Sequence, residues 1–236
     1  MRFRPTLATL AIVVVAATGV ALLVARSGTD AVAIRPSATS LRAASLRASR
    51  TAIARIPNSQ RRANAVARLA RSQYRSEIGG RVQRATARGV AHNAALLAAL
   101  AANRLGGARG IATSLLYRAN HVSHIEVVRG GKSLVSVGKG FVVGAVGVPL
   151  RANLGTVDVS IQDVIGFVRL LHRRTGAEVI VRGNGGRVSS SLRAADATNL
   201  PASGAVSVAG RRYHASSFRA SGLLGEPLSI WVLTRG

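Results

Sequence analysis

The sequence has no cysteine. That excludes disulfides, thiolate metal sites, cysteine nucleophiles and attachment of lipid through a thioether. Aromatic residues make up only 3% of a chain that is 48% hydrophobic, so any core is built from Ala, Val, Leu and Ile. Only eight acidic residues are present. That is a thin supply for paired-carboxylate catalysis. Lysine occurs only at Lys132 and Lys139, so the formal charge of +25 is almost wholly arginine. The arginines are scattered and lack the interleaved aromatics on which bases stack, so nucleic acid is not an expected partner. Anionic lipid or an acidic wall polymer fits such charge better. With 236 residues there is room for one ordinary domain, an anchor and a connection.

What is present begins with the anchor. After a tail at 1–5 carrying Arg2 and Arg4, no charged residue occurs from Thr6 to Ala25. About 20 apolar residues rise about 30 Å as a helix, the thickness of a bilayer core. Residues 6–26 therefore read as a single transmembrane anchor. A cleaved signal peptide is the competing reading, with Ala31 and Ala33 as its cleavage site, but its apolar stretch runs only about 7–15 residues. The short basic tail argues for an N-terminus held in the cytoplasm and a C-terminal domain outside it. Arg26, Arg35, Arg42, Arg47 and Arg50 pull the charge count the other way and leave the orientation open.

Residues 27–60 form a linker with Pro36 and Pro57. From 61 to 106 the pattern turns helical. Val66, Ala70, Tyr74, Ile78, Val82, Ala85 and Gly89 recur every three or four residues, and the arginines fall on other faces. The expectation is a stalk of about 40 residues, extending roughly 60 Å and ending at Gly106-Gly107. Such a helix either lifts the domain from the bilayer or slides, rotates and forms a homodimer.

Residues 107–236 read as an α+β domain. A helix over 111–120 precedes two β-rich runs, 124–128 and 133–137, which meet at Gly130-Gly131 as a hairpin. The segment 155–161 alternates as a strand and leads into a helix over 163–174, stopped by Gly176, with Ser160 as the expected N-cap. The remainder reads as strands in hairpin order: 178–182, 187–192, 205–208, 211–218 and 228–233. The expected product is one antiparallel sheet with flanking helices.

The run Val181-Arg182-Gly183-Asn184-Gly185-Gly186-Arg187-Val188-Ser189-Ser190-Ser191 resembles the strand, glycine turn and Arg-Val hairpin of Cache domains. The stretch Arg212 to Phe218, with Gly225-Glu226-Pro227-Leu228 and Trp231-Val232-Leu233, is similar to the end of that domain. Cache domains are PAS-like extracytoplasmic sensor modules of bacterial membrane receptors. The resemblance implies a PAS-like antiparallel sheet, a membrane-proximal helix and a ligand-sensing role in signal transduction at the cell membrane. Such receptors carry a second span and an output domain, and this sequence stops at Arg235-Gly236, where that span begins. A truncated sensor or a stand-alone sensory subunit is implied.

A PAS-like pocket would draw on Tyr213 and Ser217, which share one strand face with Ala215, and on Ser189 and Ser191 of another strand. Arg182 or Arg187 would fork a ligand carboxylate. The expected ligand is thus small and polar or anionic. Other chemistry is poorly supplied. His121 and His124 form an H-x-x-H with only Glu126 beside it, short of the ligands a metal site needs. Asp158, Ser160 and His172 have the residue types of a triad without a nucleophile elbow. Gly138-Lys139-Gly140 and Gly183 to Gly186 match no phosphate loop. No enzyme, metal or cofactor is expected. The rival is a structural or interaction protein whose basic stalk grips lipid or wall polymer.

Overall fold

The computed structural model describes residues 38–56, 58–119, 121–192 and 200–236. The tail at 1–5, the span expected at 6–26 and the start of the linker lie outside the described residues. Among the described residues, no helix is long and apolar enough to cross a membrane.

Helix α1 (Ala38–Ala54) precedes α2 (Ser59–Gly79), the longest helix among the described residues. Asn58 starts α2 by accepting a hydrogen bond from the Arg61 amide at 2.9 Å, satisfying one of the orphan donors of a helix start. Ala63, Val66, Ala67, Ala70 and Tyr74 are its buried stripe, while Arg61, Arg68, Arg71 and Arg75 face water. The helix ends at Gly80, whose backbone is extended (φ −63°, ψ 155°). A Cβ there would sit 2.5 Å from the Ser76 carbonyl oxygen, so no larger residue fits without a shift.

Three further helices follow: α3 (Arg81–Ala91), α4 (Ala94–Ala101) and α5 (Leu105–Arg118). Asn93 caps α4 through the Leu96 amide, and Asn103 turns the chain with φ 52°. The stretch read as a stalk is therefore three helices with buried inner faces and the start of a fourth, and it is part of the packed unit. Gly106-Gly107, expected as the stop, lies in the first turn of α5.

The strands form two sheets where one was expected. The first contains β1 (His124–Arg129), β2 (Lys132–Gly138), β3 (Val146–Pro149) and β4 (Thr156–Ser160) in the antiparallel order β2-β1-β4-β3. Gly130 (φ 56°) and Gly131 (φ 75°) make the β1–β2 turn, a left-handed geometry that suits glycine. Helix α6 (Val164–Thr175) leads to the second sheet: β5 (Glu178–Arg182), β6 (Val188–Ser190), β7 (Ser203–Val208), β8 (Arg211–Ser221) and β9 (Pro227–Arg235). Its order is β6-β5-β9-β8-β7, again antiparallel. Asp163, and not Ser160, caps α6, accepting from the Gly166 amide at 2.6 Å. Ser160 instead bonds Gln162.

Each sheet has its own apolar core. Ile125, Val127, Val135, Val157 and Val159 pack against Ala87, Val90, Leu96, Leu100, Ala108 and Ala112 from α3, α4 and α5. In the second sheet Val179, Val181, Ile230 and Val232 pack against Val66, Ala70 and Tyr74 of α2 and Phe167, Val168 and Leu171 of α6. The far face of that sheet carries Ile180, Val208, Tyr213, Ala215 and Leu233. This is an α+β architecture of antiparallel sheets with flanking helices. The α2–α3 pair runs from one sheet to the other.

Polar ties fasten α2 to the second sheet and join the two lobes. The Tyr74 hydroxyl accepts from the Ser221 amide (2.8 Å) and donates to its carbonyl (3.1 Å). Arg187 donates to the Gly140 carbonyl at 2.8 Å and pairs with Glu226, its guanidinium lying 4.9 Å from the Phe141 ring centre.

Candidate functional site

The six residues expected to line a pocket do not converge. Arg187 belongs to the tie between lobes just described. Arg182 lies with its guanidinium 5.4 Å from the Trp231 ring centre. Ser189 is the cross-strand partner of Val181, so it lies on the α6 side of the second sheet. Ser191 continues that edge: its hydroxyl accepts from the Val179 amide at 2.8 Å and donates to the Glu178 carboxylate at 2.6 Å. Tyr213 and Ser217 share a face, as alternation requires, but it is the opposite one. Tyr213 is 1% exposed within the core there. Ser217 donates to the Ala202 carbonyl at 3.1 Å.

A cleft of about 700 Å³ opens instead at the edge of the first sheet, between α5 and β2. Arg109 and Tyr117 come from α5 at positions eight apart, two turns along one helix face. His121 and Ser123 line it from the connection that follows, and Ser136 and Lys139 from β2 and its end. Leu116, Val137 and Ile161 provide an apolar floor. None of the lining residues is acidic. Lys139 bonds Asp163 while keeping much of its side chain in water, and His121 Nε2 lies 3.0 Å from the Thr86 hydroxyl. Arg109, Lys139, a histidine and four hydroxyl or phenol groups beside apolar side chains form a lining whose chemistry suits an anion better than a cation.

Behind the cleft wall, β1 and β4 turn their polar positions to the sheet face opposite the α3–α5 core. His124 and Glu126 are 2% and 4% exposed. His124 Nε2 stands 3.3 Å from Glu126 Oε2 and 3.4 Å from the Ser136 hydroxyl. Asp158 is the direct cross-strand partner of Glu126. Burial, and then the Glu126 charge, push the Asp158 carboxyl above its ordinary value of 3.8, with His124 opposing them. His121 and His124 therefore part company, one exposed in the cleft and the other buried behind it. Among the described residues, no group of His, Asp and Glu is arranged to hold a metal ion.

Compared with protein-family models, curated proteins and solved structures, the chain finds no match. The reading of the site rests on its own geometry.

Of the cleft residues, sequence reasoning had noted His121 only as half of a metal motif and Lys139 only within a glycine-rich run. Arg109, Tyr117 and Ser136 carried no signal, because α5 meets β2 through tertiary packing. Three residue types of the triad do exist nearby, but they are separated. Ser160 bonds Gln162, and His172 Nδ1 lies 2.9 Å from the Ala177 carbonyl on the other lobe.

Proposed function

We propose that the chain is a membrane-anchored, extracytoplasmic sensory domain that takes a small anionic ligand into the α5–β2 cleft. One observation carries the reading: a cleft of small-molecule size whose lining includes Arg109, Lys139 and His121 and no acid. Three further features support it. The fold is α+β with antiparallel sheets and flanking helices. The first 26 residues have the composition of an anchor. The α2–α3 pair packs on both sheets, so a change in the first lobe bears on a helix that leads back toward the N-terminus. The loose likeness of the glycine-turn hairpin and final strands to Cache domains points the same way. No catalytic machinery is assigned.

The test is thermal melting of the full chain in detergent micelles against panels of small carboxylates and phosphates. A ligand at about one hundred times its Kd stabilises by about 2.7 kcal/mol, a rise of about 5–10 °C for a protein of this size. Arg109→Ala should abolish the rise while leaving the unliganded midpoint within about 1 °C, since Arg109 is exposed. A panel that moves nothing, or a rise unchanged by Arg109→Ala, removes the cleft as the site.

A second reading is favoured by one feature. Arg61, Arg68 and Arg75 lie seven apart on the outer face of α2, and Arg81 and Arg88 repeat the spacing on α3; all five are exposed. Such a stripe attracts anionic lipid or wall polymer. Co-sedimentation of the protein with acidic vesicles, lost at high salt, would favour this reading over ligand sensing.

A further inference from the structure

Arginine is the most abundant charge in this chain, with 33 Lys and Arg against eight Asp and Glu. Two carboxylates use that supply: Asp163 bonds Lys139, and Glu226 bonds Arg187. Glu126 and Asp158 do not. Among the described residues, neither has an arginine or lysine within ion-pair distance, and the partner of Glu126 is His124. The two carboxylates stand directly opposite each other on adjacent strands. His124 Nδ1 is buried without a hydrogen-bond partner. Like charges facing across a sheet repel, and buried charge without an opposite partner is costly.

We propose that buried His124 and Glu126 and the half-buried Asp158 form a proton-binding site that keeps one proton on the facing carboxylates at pH values where exposed carboxyl groups have lost theirs. The proton comes from solvent and returns to it. Asp158, facing Glu126 across the strands, carries the proton. The surroundings leave this arrangement to set its own charge. From β3, Gly147 faces Asp158 with no side chain, and the Asp158 carboxylate lies 2.8 Å from where a Cβ would stand. From β2 the facing group is the Ser136 hydroxyl, and Lys139 beyond the strand end is held by Asp163. On the opposite face, α3 presents Gln83, which donates to the Val159 carbonyl, while Arg81, Arg84 and Arg88 point to water. On α5, Arg109 and Arg118 are exposed. The turn 223–225 beside β4 has no titratable side chain, and Glu226 after it is held by Arg187. The partial burial of Asp158 and its raised proton affinity agree with this assignment.

Ser136 lines the cleft as well as the proton site. With a proton on Nε2, His124 donates to Glu126 and leaves the Ser136 hydroxyl hydrogen free to turn to the cleft. With Nε2 bare, Ser136 donates inward.

The test is the thermal midpoint of the ligand-free full chain in micelles from pH 4 to 8, so it does not depend on what fills the cleft. A folded state that holds a proton the unfolded chain has released loses stability as pH rises. The wild type should therefore lose midpoint relative to Asp158→Asn as pH rises above the ordinary carboxyl range, by about 3–5 °C per unit at the steepest. Ser136→Ala should move the pH at which this loss is half complete, and an unmoved value removes Ser136 from the site. Parallel profiles for wild type and Asp158→Asn overturn the proposal. Should Asp158→Asn fail to fold, carbon-13 NMR titration of the wild-type aspartate carboxyls decides: one titrating well above 3.8 supports the site, and all titrating ordinarily overturns it.

Discussion

Gly144 sits where the two lobes meet, and replacing it with alanine gives a sharp test of that joint. Its φ is +70°, a conformation in which an L side chain costs about 1–2 kcal/mol. The position is also filled. A Cβ there would run into Ile78 Cγ2 near the end of α2, with Ile78 Cβ at 3.3 Å and the Ser221 carbonyl oxygen at 3.6 Å. Forcing a methyl group into packed surroundings costs a further 1–3 kcal/mol, roughly. Gly144→Ala should therefore destabilise by about 2–5 kcal/mol. Ile78→Ala removes the obstructing group and, at a partly buried position, should itself cost about 2 kcal/mol. In the double variant the steric part vanishes and only the backbone strain and the lost isoleucine packing remain. The double variant should thus be more stable than the sum of the singles predicts, by about 1–3 kcal/mol. Urea unfolding of the four proteins measures this directly. Additivity within about 0.5 kcal/mol would mean that Gly144 and Ile78 do not touch, and the description of the joint would fail.

Other outcomes follow from the same packing. Phe167→Ala, at a fully buried site of the second core, should cost about 3–5 kcal/mol and lower the thermal midpoint by about 6–20 °C. Asn58→Ala removes the α2 cap and should cost about 1 kcal/mol in urea unfolding, whereas Asn58→Asp should retain it. Tyr74→Phe keeps the ring and deletes both bonds to Ser221. About 1–2 kcal/mol should be lost, with faster amide exchange at Ser221 as the local signature. Arg187→Ala breaks an ion pair whose arginine is 42% exposed. Its effect on the midpoint should stay within about 3 °C, which tests whether that tie is weaker than the Gly144 contact.

Local signals in the chain were legible. The Gly130-Gly131 hairpin, the alternation of 155–161, the α6 stripe closed by Gly176 and the hairpin of 205–208 with 211–218 all appear where residue pattern puts them. The strand 211–218 extends three residues further, to Ser221, because it stays paired with β9 along that whole length. Failures came where partners are distant. The stripe of α2 announced one apolar face but not what it covers, and nothing local says that β8 and β9 cover it. The division into two sheets is set by β1 pairing with β4 and β5 pairing with β9, across 26 and 44 residues of intervening chain. Asp163 outcompetes Ser160 as cap because the chain stays extended up to Asp163, which bridges to Val142 just before the helix begins. The six residues once grouped as a pocket scatter because alternation fixes a face within a strand, while register fixes which faces coincide. Ser189 and Tyr213 end on opposite sides for that reason. The Glu126–Asp158 pair was visible as two acids in β patterns, and only register set them face to face.

The break at Gly80 has a mechanical meaning. A straight rod from α2 through α3 would pass a push along its axis unchanged. Here the axis is interrupted by a residue with extended backbone and no room for a side chain. A displacement arriving from the first sheet therefore changes direction at that corner. Tyr74, fastened to Ser221 one and a half turns before it, fixes the far segment to the second sheet. A load carried along α3 would thus meet an interrupted axis and an α2 already bound to the second sheet.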